Sequence, residues 1–211
     1  MRIVFMGTPD FSVPTLESLA ASRHEVVAVV TQPDKPKGRG KEIQMTPVKE
    51  AALAHQIPVY QPVRARESAF VEEMRALKPD VMVVIAFGQI LSKELLEVPK
   101  YGCVNIHASL LPQYRGAAPI QWAVINGDKE TGITTMMMDV EMDTGAMLEK
   151  MVVELDPEET GGSLFRSSEP VGRRFNSLYA GKTGKWNHQA RASEPRRSYL
   201  CKKDFQVHGR Y

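Results

Sequence analysis

The chain has 211 residues, 43% hydrophobic and 25% charged, a balance that excludes a disordered polymer and a membrane-embedded bundle. No apolar run approaches the roughly 20 residues needed to cross a bilayer. The chain opens on a strand pattern, Arg2 to Met6, rather than on a secretory leader. A cytoplasmic protein with no membrane partner is expected. Cys103 and Cys201 are the two cysteines; with no CxxC spacing they exclude a disulfide scaffold and a structural zinc site.

The net charge of +2 is unevenly placed. Residues 1–165 carry 16 Lys and Arg against 22 Asp and Glu, net −6, whereas residues 166–211 carry 11 against 3, net +8. The length suits one α/β domain with a remainder, and a basic tail on an acidic domain is the charge pattern of a nucleic-acid arm.

In chain order, Arg2–Met6 reads as a first strand. The turn after it, Met6-Gly7-Thr8-Pro9-Asp10, predicts a helix from Asp10 to Ala21 capped by Thr8, with Pro9 at its first position. It is not a dinucleotide-binding turn, which needs three glycines where this one has Gly7 alone. Val26–Val30 and Val81–Ala86 are nearly continuous apolar runs, the pattern of strands buried on both faces of a parallel sheet. Helix-period segments cover about 47–55, 67–77 and 92–97, and Pro119 starts another. Further strands are expected at 103–107, 133–138 and 151–154. Alternation of this kind predicts a doubly wound, Rossmann-like, mostly parallel α/β sheet, whose ligands sit beyond the carboxyl ends of the strands.

Three segments carry chemistry. In Cys103-Val104-Asn105-Ile106-His107, residues two apart share a strand face, so Asn105 and His107 point together while Ile106 enters the core. An amide donor beside an imidazole suits acyl transfer: one group can hold an oxyanion while the other moves a proton. A satisfied strand-end histidine and a turn asparagine fit the same residues.

Asp139, Glu141 and Asp143 form an acidic loop. The turn Thr144-Gly145 holds Asp143 where it can orient an imidazole, and the other two read as solvated. No His or Cys is spaced for metal ligation, and no metal is expected. The loop from Gln32 to Lys41, with Lys35, Lys37, Arg39 and Lys41 among glycines and prolines, suits phosphate contact. It lacks the ending of a P-loop. Gly116, Ala117 and Ala118 leave room for a close ligand or backbone.

Together these stretches resemble the methionyl-tRNA formyltransferase family. The matching pieces are Phe5 to Phe11, Thr31 to Lys41, Thr46 to Lys49, Asn105 to Pro112, Arg115 to Gln121 and Met136 to Gly145. The resemblance implies transfer of a formyl group from 10-formyltetrahydrofolate to the amino group of methionine on initiator tRNA, by a monomer that uses no metal. It implies Asn105, His107 and Asp143 as the catalytic trio. It also implies a folate site at Phe87, Gly88, Gln89, Ile90 and Leu91, with Ser109, Leu110, Leu111 and Pro112 and with Met138 and Asp139. tRNA contact would come from Lys35, Lys37, Arg39 and Lys41. The alternatives are a formyltransferase for a sugar nucleotide or other small amine, and a non-catalytic remnant that binds RNA or folate.

After Phe165 the pattern of the family stops. Its members continue with an amphipathic helix and then a C-terminal β-barrel, both absent from this chain. A coding stretch for Asp-Arg-Leu-Ser-Leu-Leu-Gly-Ala-Asp-Leu, read two bases later, gives Ser-Ser-Glu-Pro-Val-Gly-Arg-Arg-Phe, the residues from Ser167 to Phe175. A frameshift is therefore expected, and with it a catalytic domain over 1–165, an aberrant, basic and poorly ordered tail over 166–211, low stability and weak tRNA affinity.

Overall fold

The computed structural model describes residues 1–37, 42–156 and 160. Seven strands form one sheet in the order β5-β2-β1-β6-β7-β8-β9. They are β1 (Arg2–Gly7), β2 (Glu25–Val30), β5 (Val59–Tyr60), β6 (Val81–Ile85), β7 (Cys103–His107), β8 (Glu130–Met137) and β9 (Met147–Glu154). The first five run parallel, while β8 and β9 are antiparallel to their neighbours. The expected mostly parallel, doubly wound sheet is present.

Helices cover both faces because the strands are apolar on both. Ile3, Phe5, Val83, Ile85, Val104 and Ile106 pack on one face with residues of α1 (Val13–Ala20) and α2 (Pro47–Ala54). Val4, Met6, Val30, Met82, Val84 and Cys103 pack on the other with α3 (Ser68–Ala76) and α4 (Lys93–Leu96). Successive strand residues enter opposite clusters, as the two-residue period requires. Connections leave β1 toward β2 on one side and return as β6 on the other, so the strand order reverses at β1. The carboxyl ends of β1, β6 and β7 lie side by side at this reversal, where α/β sheets place their ligands.

Several details differ from the sequence reading. Thr8 does not cap a helix: its hydroxyl donates to the Phe87 carbonyl at 2.9 Å. The expected helix from Asp10 is a 3₁₀ turn, Asp10–Ser12, followed by α1. Part of the basic loop is ordered as a two-stranded hairpin, β3 (Lys35–Lys37) paired antiparallel with β4 (Glu42–Gln44). Three-residue strands of mixed polarity carry too little periodicity to be read in advance. The final strands begin earlier than their apolar cores, at Glu130 and Met147, since backbone pairing continues past the buried residues.

Half-buried side chains fix the base of the hairpin. Lys49 Nζ bonds Asp34 Oδ2 and Gln61 Oε1, the latter at 2.8 Å. Gln61 Nε2 donates to Asp34 Oδ1 at 2.8 Å and to the Gln32 carbonyl at 2.9 Å. Thr46 caps α2 by accepting from the Lys49 backbone at 3.2 Å and meets Thr31 Oγ1 at 2.8 Å. The bonds from Lys49 and Gln61 hold the Asp34 carboxyl below the usual range.

Candidate active site

β7 ends at His107, and both Asn105 and His107 reach one carboxylate from the same strand face. Asn105 Nδ2 donates to Asp143 Oδ1 at 3.3 Å. His107 Nδ1 lies 3.6 Å from Asp143 Oδ2, within ion-pair range. Ile106, between them, is 2% exposed in the opposite cluster. The side chains of His107 and Asp143 are 7% and 11% exposed, so the pair interacts in a medium much drier than bulk water.

Asp143 is held in the left-handed region at φ 54°, which Asp and Asn tolerate better than other side chains. The Gly116 N–H donates to Asp143 Oδ2 at 2.7 Å. The turn is closed by Gly145, where an added Cβ would lie 1.8 Å from the Met137 carbonyl oxygen. Both carboxylate oxygens thus have donors, and the side chain is fixed at the end of β7.

His107 Nε2 lies 2.8 Å from the carbonyl oxygen of Tyr114. A carbonyl can only accept, so Nε2 carries the proton. The sequence reading missed Tyr114 and Gly116 because both act here through the backbone. The small residues at 116–118 were the available signal: the close backbone they make room for is that of Gly116 against Asp143.

The folate-site candidates divide by what they expose. Phe87, Leu91, Ser109 and Leu111 have buried side chains, and the Ser109 hydroxyl donates to the Gln113 carbonyl at 2.6 Å. A ligand would meet these four along their main chain, where the Ser109 carbonyl already accepts from Thr134 and the Leu111 N–H donates to Thr134. Gly88, Ile90 and Asp139 are exposed, and Gln89, Leu110, Pro112 and Met138 are half-buried. Gln89 is committed to the Ala65 N–H and the Pro62 carbonyl, at 2.6 and 3.0 Å. Gln32 Nε2 joins Thr8 on the Phe87 carbonyl, at 3.1 Å. The 87–88 turn is therefore fastened to the ends of β1 and β2.

Among the cationic candidates, Lys35 is exposed on β3, and Lys37 ends that strand. Arg39 and Lys41, like the whole 166–211 tail, lie outside the described residues. Cys103 opens β7, but burial pushes its thiol up to about 12, which leaves it no role as a nucleophile. No helix of the described residues is long and apolar enough to cross a membrane. Among the described residues no group of three or more His, Cys, Asp or Glu could hold a metal ion.

Among solved structures the fold is similar to phosphoribosylglycinamide formyltransferase from Anaplasma phagocytophilum, with a TM-score of 0.70 at 19% identity over 95% of this chain and 98% of that one. The enzyme of the same name from Bacillus halodurans gives a TM-score of 0.67 at 24% identity, covering 82% and 90%. By sequence the chain is 66% identical over 175 residues to the methionyl-tRNA formyltransferase of Agathobacter rectalis, covering 83% of this chain and 56% of that protein. It is 57% identical over 172 residues to that of Clostridioides difficile, covering 82% and 56%. The chain thus spans about half the length of the curated relatives it matches. Residues 1–174 match the formyl transferase family, nine residues beyond the point where its pattern was expected to stop, and the chain belongs to that family.

Proposed function

We propose that the chain transfers a formyl group from 10-formyltetrahydrofolate to the α-amino group of methionine on initiator tRNA. The observation that carries this reading is the convergence of Asn105 and His107 on Asp143 at the carboxyl end of β7. The relatives at 57–66% identity carry the name of that reaction.

Attack of an amine on a formyl carbon creates an oxyanion and an ammonium. Asn105 Nδ2 has two N–H bonds; one is held by Asp143, and the other is available for the oxyanion. In the neutral ring, with the proton on Nε2 facing Tyr114, His107 Nδ1 can take the ammonium proton and return it to the departing nitrogen. Asp143 stabilises the imidazolium while that proton is held. The formyl donor would rest on the backbone of residues 87–91 and 109–112 and against Met138 and Asp139. Lys35, Lys37, Arg39 and Lys41 would meet the phosphates of the acceptor end.

Residues 1–165 are proposed as the catalytic domain, with the basic tail adding only unspecific attraction to nucleic acid. Sequencing the gene past codon 165 tests the frameshift: the helix of the family should return in another frame.

Incubating the 211-residue protein with 10-formyltetrahydrofolate and methionyl-tRNA tests the activity. Formylmethionyl-tRNA should form slowly, with a high KM for tRNA, and faster than with Asn105→Ala. Equal rates for the two proteins would refute the reading.

A further inference from the structure

The loop 113–118 between β7 and α5 (Pro119–Ile125) does more than fill space. Tyr114 stands in the left-handed region at φ 55°, an uncommon place for an aromatic residue. The residue is 7% exposed. Its hydroxyl donates to Asp128 Oδ2 at 2.7 Å and accepts from Asn126 Nδ2 at 2.8 Å. Both partners follow the end of α5, so the loop is tied to that helix from the far side. The same residue presents its carbonyl to His107 Nε2. Two residues on, Gly116 offers its N–H to Asp143. One short loop thus sets both members of the His–Asp pair.

We propose that Tyr114 is a positioning residue: through the Asn126–Asp128 clamp it fixes the His107 proton on Nε2 and makes Nδ1 the nitrogen that exchanges protons in the reaction. The inference rests on the formyl-transfer reading but concerns an atom that can be observed without substrate. Neutral imidazole has two tautomers, and the bond made by one nitrogen decides which is present. With Nε2–H given to a carbonyl that cannot donate, Nδ1 is left as the acceptor, beside Asp143 and on the same face as Asn105. The opposite tautomer would give an N–H to the Asp143 carboxylate, but it would leave two lone pairs facing each other at 2.8 Å at Tyr114 and no ring nitrogen free to act as the base on that side. Tyr114 suits the task because its hydroxyl is satisfied on both sides. Without the hydroxyl the backbone at φ 55° loses its anchor, and the carbonyl becomes free to turn.

The test uses the 211-residue protein labelled with nitrogen-15 in histidine, at a pH where its imidazoles are neutral. His107 signals are identified by their loss in His107→Gln. In the unaltered protein Nε2 should resonate as a protonated ring nitrogen and Nδ1 as an unprotonated one. In Tyr114→Phe a second population with Nδ1 protonated should appear. Its kcat for formyl transfer should fall by about ten- to a hundredfold, the range for losing a group that orients a functional imidazole, with KM unchanged. Asp128→Asn, which keeps the side-chain shape, should give a smaller shift in the same direction and serves where Tyr114→Phe does not fold.

A protonated Nδ1 in the unaltered protein overturns the proposal. So does a folded Tyr114→Phe with both the tautomer and kcat unchanged. Undiminished transfer by His107→Gln would instead refute the role of His107 in catalysis and leave the tautomer assignment standing.

Discussion

The Asp143 carboxylate accepts the Asn105 amide at 3.3 Å across 38 residues of sequence. That contact joins the end of β7 to the loop between β8 and β9 and leaves one Asn105 N–H turned away from Asp143. Replacing Asn105 by Ala should lower kcat by about a hundred- to a thousandfold, the usual cost of one oxyanion donor. The half-buried site should tolerate it, so thermal unfolding should stay within a few degrees of the parent. Steady-state kinetics beside a melting curve checks both.

Asp143→Asn separates charge from shape. Asn accepts the left-handed backbone, and its carbonyl can still receive the Gly116 N–H. The variant should therefore fold normally and lose most of its activity. Asp143→Ala keeps neither, and strain at φ 54° should add roughly 1 kcal/mol of destabilisation. Denaturant titrations of the two variants should rank them in that order.

Gly145 is needed for steric reasons. A Cβ there would overlap the Met137 carbonyl, and no flexible side chain can yield to make room. Gly145→Ala should cost about 1–3 kcal/mol, as overpacking does, and should slow turnover by displacing Asp143 two residues away. Unfolding and activity measured on the same preparation would show both losses together.

The sequence made the α/β alternation legible because Val26–Val30 and Val81–Ile85 are long and apolar enough to identify buried strands. It also placed Asn105 and His107 on one face, since a period of two is a local property. The β3–β4 hairpin escaped because Lys35-Pro36-Lys37 has the composition of a loop; its base is held by Lys49 and Gln61 on Asp34, contacts that span 15 and 27 residues of sequence. Thr8 looked like a helix cap, but it faces the Phe87 carbonyl, a partner that only the adjacency of β1 and β6 provides. Tyr114 and Gly116 enter the site through main-chain atoms, which every residue type shares, so the small residues at 116–118 signalled a close approach without naming its partner.

Acid should weaken the fold through Asp34. Its pKa is depressed by Lys49 and Gln61, so its contribution is complete above the ordinary Asp value and is lost as pH falls through the lowered one. Melting temperature should decline over that acid range. In Asp34→Asn this part of the decline should vanish, with lower stability at neutral pH. A variant whose acid profile matches the parent's would exclude the network as the cause.

The central claim is that Asn105, His107 and Asp143 act as one unit on a formyl carbon. A double-mutant cycle on kcat for formyl transfer, with Asn105→Ala, Asp143→Asn and the two combined, tests it most directly. The account predicts strong non-additivity: the double variant should be no slower than the slower single one by more than a few-fold, as residues acting together behave. Losses that multiply in full, or singles that turn over like the parent, would contradict it.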